Sequence, residues 1–366
     1  MTNVRSFITK AQLFFLVAQT QIGIGIISLS HSVHEYARGD TWLSVLAAGV
    51  VSQGMIFFYW LLCTKLPNHT LYQMTASLWG KVPGIFVNLY YVVYFVYVTA
   101  TIVNAFADIV TKWLLPLTPE WVIFFIALAA GMYLAVGPLV VLARLYGVAM
   151  FNLALLVFLL LLGLDDIDIR YILPVGESGI QGIGKGLYEA LFSFNGYEIL
   201  LFAFPYVTRE VKKKEILVTA SAANFLTTLV YVFVVFACTS YFSPGEIRLI
   251  EEPVLYLLSS YSIVLMERVD LVFLAIWMIT VTTSYGTYLY LAGAGFSGLF
   301  RRSDKSSVAL LFLLVAICFA YAFLPKGIQD QIDSYSPWFD LVGLLVIPFL
   351  ALLTAYVTRA RRKRLS

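Results

Sequence analysis

Residues 19–28 read QTQIGIGIIS and lie inside an apolar run from about residue 11 to residue 33. A helix needs about 20 residues to cross a bilayer, so this run is long enough. Gly23 and Gly25 each weaken a helix by about 1 kcal/mol relative to Ala. Because lipid offers no hydrogen-bond partners, a helix that breaks here is tolerated only where its open backbone lines a protein cavity. A glycine face for close helix packing is the alternative interpretation.

The composition is that of a membrane protein. The chain has 366 residues, of which 61% are hydrophobic and 12% are charged, and its mean hydropathy is +0.87. A soluble domain has about 45–50% apolar and about 25% charged residues. The apolar runs are continuous, whereas a membrane barrel alternates in segments of about 10 residues. We therefore predict an all-α, polytopic membrane protein. The three cysteines lie in different apolar runs and indicate neither a disulfide framework nor a metal cluster.

Ten transmembrane helices are predicted from the apolar runs, with bounds uncertain by a few residues. They are roughly 11–33, 41–63, 84–112, 121–137, 139–163, 182–206, 216–241, 269–299, 307–324 and 338–358. Spans 4 and 5 form one apolar block, which we divide at Gly137 and Pro138 because proline breaks helices. Residues 253–264 are apolar but too short to cross, so we expect them at the surface. The whole chain, 1–366, is predicted to be a single transmembrane domain.

Lysine and arginine set the orientation of the chain. Seventeen of them fall at one end of the ten predicted spans and seven at the other. Because positive charge collects on the cytoplasmic side, both termini are predicted to be cytoplasmic. The basic tail at residues 359–364 raises the question of nucleic acid, but beside a membrane helix it better fits contact with anionic membrane lipid.

Residues 192–198, FSFNGYE, give a second candidate break in span 6. Interrupted spans at matching positions of two halves point to a transporter-type binding site. Spans 1 and 6 are five apart, so the halves would form a five-plus-five inverted repeat, about 10–163 and 182–324, with the last span at 338–358. Free amides at such breaks attract a carboxylate, and free carbonyls attract an ammonium group or a cation. An amino acid carries both charges.

Span 3 carries a polar stripe at alternating steps of four and three residues, which places its members on one helical face. The stripe consists of Tyr90, Tyr94, Tyr97, Thr101, Asn104 and Asp108. It extends about 27 Å at 1.5 Å per residue, which predicts a polar pathway. Hydrogen bonding between helices is the alternative. Glu189 or Asp108 could carry a proton if dehydrated.

Other polar groups give weaker indications. The hydroxyl-rich part of span 8, residues 280–288, suits helix packing as well as a site, and its oxygens would suit sodium. His31, His34 and Glu35 could bind a metal but better fit a hydrated helix end. We expect no metal and no cofactor. The sequence contains no P-loop, GxSxG, HExxH or CxxC motif, so an enzyme is not expected. An intramembrane enzyme would require Asp108, Glu189 and His31 to converge.

Several short motifs resemble the B subunit of bacterial spore germinant receptors, which belongs to the amino acid–polyamine–organocation superfamily. They are ITKAQL at 8–13 leading into IGIGI at 22–26, LWGK at 78–81, FNGYE at 194–198, and the closing pattern around DSY at 333–335 and Pro348. The resemblance covers the whole chain in length and span count. It implies the ten-helix inverted repeat with unwound spans 1 and 6.

The resemblance also implies a function. A B subunit is a nutrient receptor in the inner membrane of a dormant endospore, binds a germinant that is commonly an amino acid, and works with A and C subunits. The candidate ligand-binding residues are then Gln21, Gly23, Ile24, Gly25, Tyr97, Thr101, Asn195, Gly196, Tyr197, Thr283, Ser284 and Thr287. The candidate polar pathway consists of Tyr90, Tyr94, Asn104, Asp108, Glu189 and Glu198.

Two matters stay open at this point. An amino-acid permease, coupled to protons or sodium, is the alternative function; span 5 lacks the central lysine that some proton-coupled relatives of this superfamily keep. The identity of the germinant is the second. A small cavity would suit Ala or Val, and a larger one sugars or inosine.

Overall fold

The structure is a computed structural model that describes residues 7–164, 167–261, 268–300 and 304–365. Within these ranges the side chains of 162, 299–300, 304–308 and 359–365 are not described. The described part therefore excludes the side chains of the basic tail. It also excludes residues Arg5, Arg301 and Arg302, and residues 262–264 of the short apolar segment.

The described chain is helical, as predicted, and forms no β-strand in those ranges beyond one parallel bridge between Ile8 and Val207. Its α-helices are α1 (Lys10–Gln21), α2 (Gly25–Ala37), α3 (Thr41–Lys65), α4 (Leu71–Trp79), α5 (Lys81–Trp113), α6 (Glu120–Ala135), α7 (Leu139–Leu162), α8 (Gly179–Phe194), α9 (Leu200–Ala203), α10 (Lys213–Tyr241), α11 (Pro253–Ser259), α12 (Val269–Phe300), α13 (Asp304–Ala322), α14 (Lys326–Ser334), α15 (Ser336–Asp340) and α16 (Ile347–Leu365).

Six helical segments are long and apolar enough to cross a membrane. They are Gly25–Lys65, Lys81–Trp113, Leu139–Leu161, Lys213–Tyr241, Val269–Gly298 and Lys326–Thr358, beside the shorter apolar helices Glu120–Ala135 and Ala309–Ala322. The chain is thus a helical membrane protein. The count of ten spans and the inverted repeat stay predictions, because Gly25–Lys65 combines parts of predicted spans 1 and 2, and α6, α8 and Ala309–Ala322 are too short to qualify alone.

Span 1 is broken where the glycines predict it. Helix α1 ends at Gln21, Ile22 adopts an extended conformation with ψ 102°, and α2 begins at Gly25. Span 6 is broken as well. Helix α8 ends at Phe194, Asn195 is extended with ψ 148°, and a 3-10 turn at Tyr197–Ile199 leads into α9. The division of spans 4 and 5 is also confirmed, since α6 ends at Ala135 and α7 follows Pro138.

Some elements were not predicted from the sequence. Helix α4 lies before span 3, and α14 and α15 precede the last span. A π-helical segment, Leu341–Val346, follows α15 and continues into α16. A π segment is rare and often occurs at functional sites. Among the packed pairs, α5 lies against α12, α2 against α8, and α1 against α10. Helix α1 also contacts α12, so the two broken spans pack against the α5–α12 pair.

Candidate functional site

A cavity of about 270 Å³ lies between the two broken spans. Its walls come from the α1–α2 break, the end of α8, the middle of α5 and α12, and the segment from α14 to α15. The lining residues are Thr20, Gln21, Gly23, Ile24, Gly25, Tyr97, Val98, Thr101, Ile102, Phe192, Ser193, Asn195, Ser284, Tyr288, Asp333, Ser336 and Asp340. The interrupted backbone therefore faces a space inside the protein, which is the condition for such backbone in a membrane.

Most of the candidate ligand-binding residues contribute to this lining. They are Gln21, Gly23, Ile24, Gly25, Tyr97, Thr101, Asn195 and Ser284. The other four lie behind it. Gly196 contacts the backbone of α1, and the Tyr197 ring packs against Tyr59 at 5.7 Å between centroids. Thr283 donates to Gln19 at 3.0 Å, and Thr287 lies 2.8 Å from the Tyr146 hydroxyl. These two hydroxyls join helices, which is the packing alternative for span 8.

The two glycines of span 1 are required by close approach. A Cβ on Gly25 would lie 2.6 Å from the Cβ of Ser193, and a Cβ on Gly23 would lie 3.1 Å from the Cβ of Ser284. Helix α2 can thus approach α8 and α12 only because these positions carry no side chain. Both interpretations of the glycines apply: Gly23 and Gly25 line the cavity, and they also permit close helix packing.

The break in span 6 is held by its own sequence. Gly196 has φ +125°, which L side chains rarely adopt. Its amide donates to Oε2 of Glu198 at 2.7 Å, and the Glu198 side chain is only 2% exposed. The Tyr288 hydroxyl faces the same carboxyl group. Glu198 therefore fixes the turn from beneath the cavity.

The carbonyl groups at the two breaks are largely engaged by side chains. Hydrogen bonds of 2.9–3.1 Å join Ser284 to the carbonyl of Thr20, Tyr231 to those of Gln21 and Ser193, and Gln21 to that of Phe194. Helix α2, by contrast, begins with no side-chain cap at Ile24. The first amides of a helix have no partner within it. The start of α2 thus has no side-chain cap, whereas these four carbonyls already have donors.

The tyrosine part of the span 3 stripe is hydrogen-bonded to the last span. Tyr90 donates to the carbonyl of Phe339 at 2.6 Å, and Tyr94 donates to Oδ1 of Asp340 at 2.7 Å. Tyr97 donates to Oδ1 of Asp333 at 2.8 Å. Here hydrogen bonding between helices, the alternative interpretation, accounts for the tyrosines. The polar pathway stays a prediction: Asn104 is half-buried, Asp108 is exposed, and Glu189 is half-buried near Glu35.

Asp333, Ser336 and Asp340 are site residues that the sequence interpretation missed. The signal was present for Asp340, because a carboxylate at the start of an apolar span is costly in lipid and indicates a functional position. Asp333 had appeared only as part of a family motif. Neither was assigned to a site, since nothing local places the last span beside span 3.

A cluster of aromatic side chains packs around Phe202 of α9, next to the cavity. Phe202 packs against Tyr72, Tyr91 and Phe95 with centroid distances of 4.9–6.3 Å, and Phe95 packs against Tyr288 at 6.0 Å. Since Tyr288 also lines the cavity, this cluster forms its floor.

Neither the large groove beside α6 nor the histidine cluster of span 1 provides an alternative polar ligand site. A groove of about 960 Å³ between α5, α6, α7 and α12 is larger than the cavity, but it lies at the perimeter and its walls are mainly apolar, as for a lipid-facing surface. In the described ranges, no group of three His, Cys, Asp or Glu residues is arranged to hold a metal. His31 pairs with the carbonyl of Ile247 at 3.0 Å and does not line the cavity.

Comparison with known proteins identifies the family. The family described as "Spore germination protein" matches residues 7–331. The chain belongs to this family. Similar family members include "Spore germination protein B2" of Bacillus subtilis (strain 168), 24% identical over 358 residues and 96% of each chain. "Spore germination protein GerQB" of Bacillus cereus is 22% identical over 97% of this chain and 98% of its own. "Spore germination protein A2" of Bacillus subtilis (strain 168) is 26% identical over 92% of each.

The match confirms the resemblance to germinant receptor B subunits, and the quoted motifs have structural roles. In the first, Thr9 and Gln12 form a capping box that begins α1, and the Ile8 amide donates to the carbonyl of Tyr206 at 2.8 Å. In the second, Gly80 has φ +92° between α4 and α5, and Trp79 donates to Thr354 at 3.1 Å. These two motifs therefore cap helices or join helix ends.

Proposed function

We propose that the protein is the B subunit of a spore germinant receptor and that it binds an amino acid in the cavity between its broken spans. The cavity is the observation that carries this proposal, since the uncapped start of α2 and the Asp340 side chain line one space of about 270 Å³. That volume exceeds the bulk volume of a water molecule, about 30 Å³, several-fold. It suits a small ligand. Membership of the spore germination protein family supports the biological role.

Binding would act on the two broken spans. The ligand carboxylate would accept from the uncapped amides at the start of α2, where the helix dipole favours negative charge. The same ligand would contact Ser193 and Asn195 at the end of α8. A ligand that touches both breaks favours the arrangement in which they are closest, and so shifts the population of conformations. The A and C subunits would receive this shift as the signal for germination.

The location and orientation belong to the same proposal. The protein would lie in the inner membrane of the spore with ten spans and both termini in the cytoplasm. The unequal distribution of Lys and Arg supports this orientation.

Spores that carry Gly25→Leu test the binding site. A leucine at this position meets Ser193 within the α2–α8 contact and fills the cavity, so germination in response to nutrients should slow at least tenfold. Gly54→Leu is the matched control, because a Cβ there meets no atom within 4 Å. Immunoblots must show equal amounts of both variants. An unchanged nutrient response in Gly25→Leu spores at normal protein level would remove the assignment.

A permease is the second candidate, because interrupted helices are typical of transporters. Uptake of labelled amino acids into proteoliposomes separates the two functions. Concentrative uptake driven by a proton or sodium gradient would favour the permease. Binding without uptake would favour the receptor.

A further inference from the structure

Asp340 places a carboxyl group in the wall of the cavity. Its Oδ1 accepts from the Tyr94 hydroxyl at 2.7 Å, and its Oδ2 lies 3.4 Å from the Asn195 amide nitrogen. Both donors are neutral. The Asp340 side chain therefore lies between span 3 and the break in span 6. Its two hydrogen-bond donors fix its position but do not neutralise its negative charge.

The surroundings of Asp340 are negative. Asp333 also lines the cavity, and among the described lining residues none is Lys, Arg or His. Glu198, whose side chain is 2% exposed, is a further carboxyl group close by, since it accepts from the amide of Gly196 next to the lining residue Asn195. Asp340 is half-buried and Asp333 is exposed, and a carboxylate that is partly withdrawn from water is stabilised by a positive group beside it. The described lining supplies two carboxyl groups and no positive group, so a cationic group of a ligand would complete it.

Four backbone carbonyls at the breaks are already engaged. The carbonyls of Thr20, Gln21, Ser193 and Phe194 accept from Ser284, Tyr231 and Gln21. A ligand ammonium group at any of these four would have to displace a side chain. Asp340 can accept a further donor without displacing one, because a carboxylate offers about four acceptor positions.

We infer that Asp340 binds the ammonium group of the ligand and thereby selects amino acids over uncharged nutrients such as sugars and nucleosides. This inference rests on the proposed function and assigns its selectivity to one residue. The ligand would span the cavity, its carboxylate at the amides of α2 and its ammonium group at Asp340. A charge-assisted hydrogen bond of this kind is about twice as strong as a neutral one.

The test uses purified full-length protein and thermal shift, which rises with ligand bound to the folded state. The twenty common amino acids, glucose and inosine are screened first. The amino acid with the largest shift is then compared with the amine that lacks its carboxylate and the acid that lacks its ammonium group; for L-alanine these are ethylamine and propionate. Asp340→Asn keeps the acceptor for Tyr94 and removes the charge. Asp330→Asn is the control, because Asp330 is an exposed acid of α14 outside the lining.

Asp340→Asn should weaken amino-acid binding about 10- to 100-fold, and Asp330→Asn should leave it unchanged. In the wild type, the acid without an ammonium group should bind far more weakly than the amino acid. Equal binding of that acid, a response to glucose or inosine alone, or undiminished binding by Asp340→Asn would overturn the inference. If the variant fails to fold, the wild-type comparison can still overturn the inference, because equal binding of the acid would show that the ammonium group is not recognised.

Two outcomes distinguish this inference from binding of a metal cation and from failure of the proposed function. If Asp340 holds a metal cation instead, sodium chloride without amino acid will stabilise the wild type more than choline chloride, and Asp340→Asn will abolish only that effect; this overturns the inference. If no compound of the screen stabilises the wild type, the proposed function itself fails.

Discussion

At the scale of the residue, Gly196 is the position where the backbone conformation and the space around it most strongly require glycine. It combines φ +125° with a distance of 2.6 Å from an added Cβ to the Thr20 carbonyl carbon. Gly196→Ala should therefore destabilise the protein by more than the 1–3 kcal/mol typical of a strained backbone position alone, and reduce the folded yield sharply. Thermal unfolding of the protein in detergent micelles measures this.

Gly184→Ala is the control for this prediction, since a Cβ at Gly184 meets no atom within 4 Å and lies in α8. There the same substitution should be neutral or stabilising by up to about 1 kcal/mol. Equal stability of the two variants would contradict the proposed geometry of the break.

The same scale shows what the sequence could reveal about the site. Gly23, Gly25 and Asn195 were predictable because a helix-breaking residue in a lipid-length run is a local signal. Asp340 was not, since its meaning depends on Tyr94, which is 246 residues away in the chain. A sequence pattern identifies which residues disturb a helix, but it does not give the residues that the tertiary fold places opposite them.

At the scale of the element, the π segment Leu341–Val346 is supported by tyrosines of other helices. Tyr91 donates to the carbonyl of Gly343 at 2.6 Å and Tyr59 to that of Leu344 at 2.7 Å. Tyr90 donates to the carbonyl of Phe339 just before the segment at 2.6 Å. Helix pairing in membranes gains about 0.6 kcal/mol from such a bond. The stripe on span 3 was predicted correctly as a face, but its tyrosines serve the last span.

Replacing the three tyrosines by phenylalanine should therefore lower the free energy of unfolding by about 2 kcal/mol, the combined contribution of three such bonds. The rings, and hence the packing, remain. Denaturation of the triple variant Tyr59→Phe, Tyr90→Phe, Tyr91→Phe in micelles would be compared with Tyr133→Phe, whose side chain is 84% exposed. A triple variant as stable as the wild type would show that these hydrogen bonds do not hold the segment.

At the scale of the whole molecule, the helical class and the family follow from the sequence, while the number of crossings depends on how the broken spans are counted. Periodicity and composition report length and polarity for each run. They do not report whether α1 and α2, or α8 and α9, act as one crossing each, because that depends on how the pieces stack.

Cysteine labelling from outside intact cells decides between ten crossings and six. With ten, Glu177 and Lys214 lie at opposite ends of span 6, so Glu177→Cys and Gly245→Cys should react with a membrane-impermeant maleimide and Lys214→Cys should not. If only the six long helices cross, Glu177 and Lys214 lie between the same two crossings and must react alike. All three positions are exposed, and the native cysteines Cys63, Cys238 and Cys318 are buried and should give little background. Opposite labelling of 177 and 214 would place a broken span between them, as the inverted repeat requires.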